Sequence, residues 1–114
     1  MRPNNTLRPD ITTSQDLSAA ALDFTTSIPH KFTLLQVLVQ ADIPITETIT
    51  VTLDSGNGAA YDTILATVSL SGGQSFVYKP EGKPDYQSND NIKVECTNAN
   101  GVGVVSVIVK IRDN

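Results

Sequence analysis

One histidine, one cysteine and 12 acidic side chains are the groups in this 114-residue chain that chemistry would most readily recruit. Nucleophilic catalysis needs a base beside the nucleophile. His30 lies in Pro29-His30-Lys31 at the start of a strand-like run, and no serine stands in a Gly-x-Ser-x-Gly elbow. A solvated turn residue is the simplest role for His30. Zinc would need clustered Cys and His, and one of each is not a set. Cys96 alternates with Ile92 and Val94 on an apolar face, which predicts a buried, inert thiol and no intrachain disulfide. The run Asp54 to Asp62 (DSGNGAAYD) gathers carboxylates about a tight turn. An EF-hand-type loop, however, wants oxygen side chains where Gly56 and Gly58 stand, and no Glu closes this one. Glu47, Asp54, Asp62, Glu81, Asp85, Asp90 and Glu95 are scattered, with nothing to pair two of them across a cleft as glycoside cleavage requires. Glycine motifs for phosphate or dinucleotide binding are missing. The expectation is a non-enzyme with no cofactor and no metal.

Binding is the remaining class. With no tryptophan, the polar aromatics are Tyr61, Tyr78 and Tyr86. Tyr78 and Tyr86 flank a proline-containing loop, where they would either pack that loop on the domain or offer a thin sugar-stacking platform. The net charge of −4 repels polyanions, and Arg2 and Arg8 outweigh Asp10 only locally, so nucleic acid is not an expected partner. No apolar run is long enough to span a bilayer and Met1 is followed by polar residues, so neither a membrane nor a secretory leader is expected. Charged residues make up only 18% of the chain, leaving a surface of Thr, Ser, Asn and Gln. Such a surface suits packing against other proteins, although Thr also simply favours strands.

The elements that must position these residues are strands. One domain of this length buries roughly two-thirds of its unfolded surface without staples. Residues 1–14 (MRPNNTLRPDITTS) contain two prolines and little apolar periodicity, and read as an extended N-terminal arm preceding a 15–114 domain. Residues 15–24 fit either a short helix or a strand, and the strand is preferred because everything downstream is β. Leu35, Val37, Val39 and Ala41 alternate with Leu34, Gln36, Leu38 and Gln40. Ile49, Val51 and Leu53 alternate with Thr48, Thr50 and Thr52, and Ile64, Ala66, Val68 and Leu70 make the next apolar face. Asn57-Gly58, Gly72-Gly73 and Asn100-Gly101 are turn signals. Residues 74–78, 91–97 and 102–112 complete six or seven short strands, with a loop at 79–89. Close turn spacing and no clear helix predict an all-β, antiparallel β-sandwich of jelly-roll type.

Several strands also carry apolar residues on the face that should be wet: Leu34 and Leu38, Leu65, and Val104 and Ile108. One such residue is ordinary, but five on three strands predict a second buried surface, either covered within the monomer or lying at an oligomer or capsid interface.

Three segments carry a resemblance. Ile49 to Leu65 (ITVTLDSGNGAAYDTIL), Phe76 to Gly82 (FVYKPEG) and Asp90 to Gly101 (DNIKVECTNANG), the last leading into the final Val-rich strand, are spread over roughly the last two-thirds of the chain. Their order resembles that of small structural proteins of tailed bacteriophages, of the capsid decoration (cement) type. The resemblance implies a virion protein made in the host cytoplasm and seated on the capsid surface. Its partners would be its own copies, as a homotrimer, and the major capsid protein. Arg2, Pro3, Leu7, Arg8, Pro9 and Ile11 would then form a capsid-binding arm. A carbohydrate- or receptor-binding module of a fibre or tail, and a head–tail connector or tail-completion subunit, are the alternatives.

Overall fold

The cleanest alternation in the sequence becomes the cleanest strand: Ile49 and Val51 are fully buried, while Thr48, Thr50 and Thr52 lie half-buried on the opposite face. In the computed structural model, which describes residues 10–82 and 85–113, that strand is one of nine. They are β1 (Ile11–Asp16), β2 (Leu22–Thr25), β3 (Phe32–Ile45), β4 (Thr48–Asp54), β5 (Thr63–Ser69), β6 (Gly73–Tyr78), β7 (Asp85–Tyr86), β8 (Asn91–Cys96) and β9 (Val104–Asp113), with one 3-10 turn at Ala59–Tyr61.

Pairing is antiparallel throughout and nested. β4 pairs with β5, β3 with β6, β2 with β8 and β1 with β9, as in a long two-stranded ribbon with its tip at the β4–β5 hairpin. The ribbon rolls up so that β9 also lies against β3 and β8 against β4. Two sheets result, ordered β1-β9-β3-β6 and β2-β8-β4-β5, with β7 adding to β3 beside β6. This is the strand order of a jelly roll, and the expected all-β sandwich is present.

The core lies between the sheets. Val37, Val39, Val105, Val107 and Val109 face Ile49, Val51, Ile92, Val94 and Cys96, all at most 1% exposed. Burial of each Val- or Ile-sized side chain contributes on the order of 1.5–3 kcal/mol, so these strands are held chiefly by their inner rows.

Two β-bulges alter the face assignments that strict alternation predicts. In β3, Leu34 pairs with Ile111 and Gln36 with Lys110, leaving Leu35 as an extra residue. The extra residue reverses the alternation, so Phe32 and Leu34 face inward before it and Val37 and Val39 after it. Leu34 is therefore fully buried core rather than interface. In β5, Ala66 pairs with Val51 and Ile64 with Thr52, making Leu65 the extra residue. Leu65 packs partly on the core, and Ile64, predicted to face inward, is 67% exposed.

The N-terminal region also departs from expectation. Residues 11–14, read as arm, belong to β1 and pair with β9 in unbroken register, Ile11 against Val109. Ile11 packs against the core. Arg2, Pro3, Leu7, Arg8 and Pro9 lie outside the described residues. Residues 15–24 are neither a helix nor one strand. β1 ends at Asp16, whose carboxylate accepts hydrogen bonds from the Ser18 amide and hydroxyl, and β2 then buries Leu22 and packs a half-buried Phe24 against the core.

Candidate interaction surface

The carboxylates that the sequence scatters are mostly used to tie loops. Glu47, in the turn between β3 and β4, is 4% exposed. Its Oε1 accepts hydrogen bonds from the Thr97 hydroxyl at 2.7 Å and the Ala99 amide at 2.9 Å, and its Oε2 accepts one from the Asn100 amide at 2.8 Å. Burial pushes the Glu47 carboxyl upward, but these bonds outweigh it and hold the group below the usual carboxylate range. Asp90 accepts from the Gly56 and Gln87 amides, Asp62 from the Ser55 amide and Asp42 from the Val104 amide. Asn91 Oδ1 accepts from the Ile28 amide, and the Thr26 hydroxyl accepts from the Ile92 amide. An open hollow of about 170 Å³ lies beside Glu47, lined also by Thr46, Thr48, Ser69, Leu70, Thr97 and Ala99. Both Glu47 oxygens already serve the 97–100 turn, so the carboxylate is spoken for.

The other chemical candidates are placed as follows. His30 Nε2 lies 2.8 Å from Asp113 Oδ1 at the strand end. Cys96 is buried, and desolvation with the neighbouring Glu47 carboxylate pushes its thiol up to about 11. Among the described residues, no three His, Cys, Asp or Glu side chains converge as a metal-binding group. Tyr86 packs its ring on Phe32 with centroids 5.4 Å apart, and burial, with Tyr78 and Asp90 nearby, raises its hydroxyl above the usual value. Tyr78 packs against the core as well, which leaves Tyr61, 64% exposed, as the aromatic facing solvent.

The remaining apolar residues organise a surface. On the outer face of the β1-β9-β3-β6 sheet, Thr12 pairs with Ile108, Ile108 with Leu38 and Leu38 with Val77. Directly paired residues share a face, so Ile108, Leu38 and Val77 form one apolar row across three strands. Val77 is 46% exposed, and Leu38 and Ile108 are half-buried. The next row, Ser14, Ser106, Gln40 and Ser75, is uncharged. Val104 stands further along the same face of β9, half-buried, near the exposed Ile43 and Val102. Of the five residues expected at an interface, Leu38, Ile108 and Val104 thus share this outer face, Leu34 is core, and Leu65 sits in the other sheet. Val77 is the member that sequence reading missed. Its partner Leu38 was visible as an off-face residue, but only the register places Val77 beside it.

No family model matches the chain, and no curated protein matches it. Among solved structures, the chain is similar to PirA, with TM-score 0.53 and 10% identity over 96% of this chain and 95% of that one. It is also similar to a Bacillus endospore appendage protein described as forming disulfide-linked pili, with TM-score 0.51 and 14% identity over 100% of this chain and 95% of that one. The Drosophila NLP core, described in terms of pentamer formation and histone binding, aligns with TM-score 0.47 and 13% identity over 91% and 98%. At such identities the first two likenesses establish a shared sandwich fold and nothing finer.

Proposed function

We propose that the chain is a non-catalytic assembly subunit, which docks through the outer face of its β1-β9-β3-β6 sheet on copies of itself and on a larger protein shell. The observation that carries this reading is the row Ile108, Leu38 and Val77, an apolar stripe that folding leaves partly open. The finer reading is the one the resemblance implies: a capsid decoration protein of a tailed phage, working as a trimer on the head surface and bracing neighbouring capsid subunits. A rigid sandwich whose outer face sets an apolar row beside an uncharged one suits that task, because shell contacts draw strength from buried area repeated many times. Covalent linkage through Cys96 has no part in it, since the thiol is buried and its thiolate disfavoured.

Leu38→Glu tests the reading. The variant is expected to keep its melting temperature within a few degrees while its self-association by light scattering weakens and its co-sedimentation with purified phage-head shells is lost. An unfolded variant would show that Leu38 serves the core. A folded variant that assembles as the parent does would remove this face from the account.

A further inference from the structure

Among the described residues, the five-stranded sheet ends on β1 at one side and on β6, with the two-residue β7 in line beyond it, at the other, and β1 and β6 match. Each strand has six residues, and among the described residues nothing pairs with the outer side of either. A row of unpaired N–H and C=O groups is a template for another strand, and proteins usually guard it with Lys, Pro or a bulge. Here β6 (GQSFVY) carries no charge, no proline and no bulge of its own, and β1 (ITTSQD) is uncharged up to Asp16. By contrast, β5, the long edge of the other sheet, is bent by its Leu65 bulge.

Direction agrees as well. Strands alternate in sense through β1, β9, β3 and β6, so β1 of a second copy laid beside β6 continues the sheet antiparallel. Full overlap sets Tyr78 opposite Ile11, Val77 opposite Thr12, Phe76 opposite Thr13 and Ser75 opposite Ser14. Every one of these pairs joins residues that already share a face in their own sheets, so the Ile108–Leu38–Val77 row runs on into Thr12 and Ile108 of the next copy. The same register puts exposed Lys79 opposite exposed Asp10, an attraction that a β6-to-β6 pairing lacks.

We propose that copies of this chain add head to tail, β6 of one pairing antiparallel with β1 of the next in the register Ser75 to Ser14. Such a contact is heterologous, and it generates a ring where the rotation closes or a fibre where it does not. The proposal rests on the assembly reading and adds an edge contact between copies to the face contact named there, and it can fail separately from that reading.

Ser14 and Ser75 are both exposed, and within one chain they sit at opposite edges of the sheet, three strand spacings or about 14 Å apart. A disulfide spans Cα atoms no more than about 7 Å apart, so the two positions bridge only between copies. Ser14→Cys and Ser75→Cys proteins are prepared separately, mixed and oxidised mildly. The expected result is a cross-linked heterodimer well above the background of either variant alone. No cross-link, equal amounts of homo- and heterodimer, or Ser75→Cys homodimers in excess would overturn the register. Charge reversal gives a second readout by light scattering: Lys79→Glu should weaken association and Asp10→Lys in the same chain should restore it, whereas a double variant no better than the single one counts against the contact. A protein that is monomeric throughout and does not bind phage-head shells defeats both this contact and the assembly reading, and one that is monomeric but binds shells defeats this contact alone. A multimer without the Ser14–Ser75 cross-link defeats the contact alone.

Discussion

Replacing Glu47 with alanine removes the acceptor for the Thr97 hydroxyl and the Ala99 and Asn100 amides, and so unties the β8–β9 turn from the β3–β4 turn. Hydrogen bonds to a charged group contribute roughly 1.5–3 kcal/mol each when no water can replace them. Thr97, Ala99 and Asn100 are exposed, so water recovers much of that, and a total of about 2–3 kcal/mol is reasonable for the three. For a domain of this size that is a fall in melting temperature of about 10–15 °C. Glu47→Gln keeps an acceptor oxygen and should lose roughly half as much. The charge sets the pH dependence. Because the folded protein holds the Glu47 carboxyl below its usual 4.5, its contribution is present above pH 4.5 and disappears as the pH falls through the depressed value. The parent and Glu47→Ala melting curves should therefore differ most at neutral pH and converge in acid. Asp16, whose carboxyl is lowered by the Ser18 hydroxyl and amide, leaves both proteins some acid sensitivity. The assay is thermal unfolding by circular dichroism across pH. A Glu47→Ala protein melting within about 3 °C of the parent at pH 7, or a gap that widens in acid, would refute the reasoning.

Gly103 takes a φ of +91°, and a Cβ there would come within 3.1 Å of Ile45 and 3.2 Å of Ile43, so Gly103→Ala should cost about 2 kcal/mol, read as a lowered denaturant midpoint. The Cys96 thiol should resist a disulfide reagent at pH 8 in the folded protein and react within seconds once denatured; fast native labelling would contradict its burial. Ile64→Lys, at an exposed position on the threonine-rich outer face of the other sheet, should leave both melting temperature and assembly unchanged, and lost assembly would relocate the interaction surface.

How far the sequence reaches is clearest strand by strand. β4 and β8 follow simple alternation, and their inner residues Ile49, Val51, Ile92 and Val94 are where that alternation predicts. β3 and β5 are equally apolar, yet each absorbs an extra residue, at Leu35 and Leu65, and β3 shifts register again against β6 between Gln40 and Ile45; a bulge leaves no mark in hydrophobic periodicity. Leu34 and Ile64 consequently exchanged roles with the expectation, one becoming core and the other surface. β1 was hidden for another reason. Its inner positions after Ile11 are Thr13 and Gln15, half-buried polar residues held in place by β9 rather than by their own hydrophobicity. Glu47 was visible only as one carboxylate among many, because its three donors lie 50 to 53 residues away. The outer-face row was half legible. Leu38 and Ile108 break alternation in the sequence, but that they adjoin each other and Val77 depends on register, which pairing sets and composition does not.

The central claim is that this sandwich works by assembling, and the mass of the protein in solution tests it most directly. Light scattering across a concentration series should give a species heavier than the 12.2 kDa chain, with three times that mass expected for the trimer, and Leu38→Glu should lower that mass. A parent protein that holds the mass of a single chain at every concentration, and still fails to bind phage-head shells, would contradict the account.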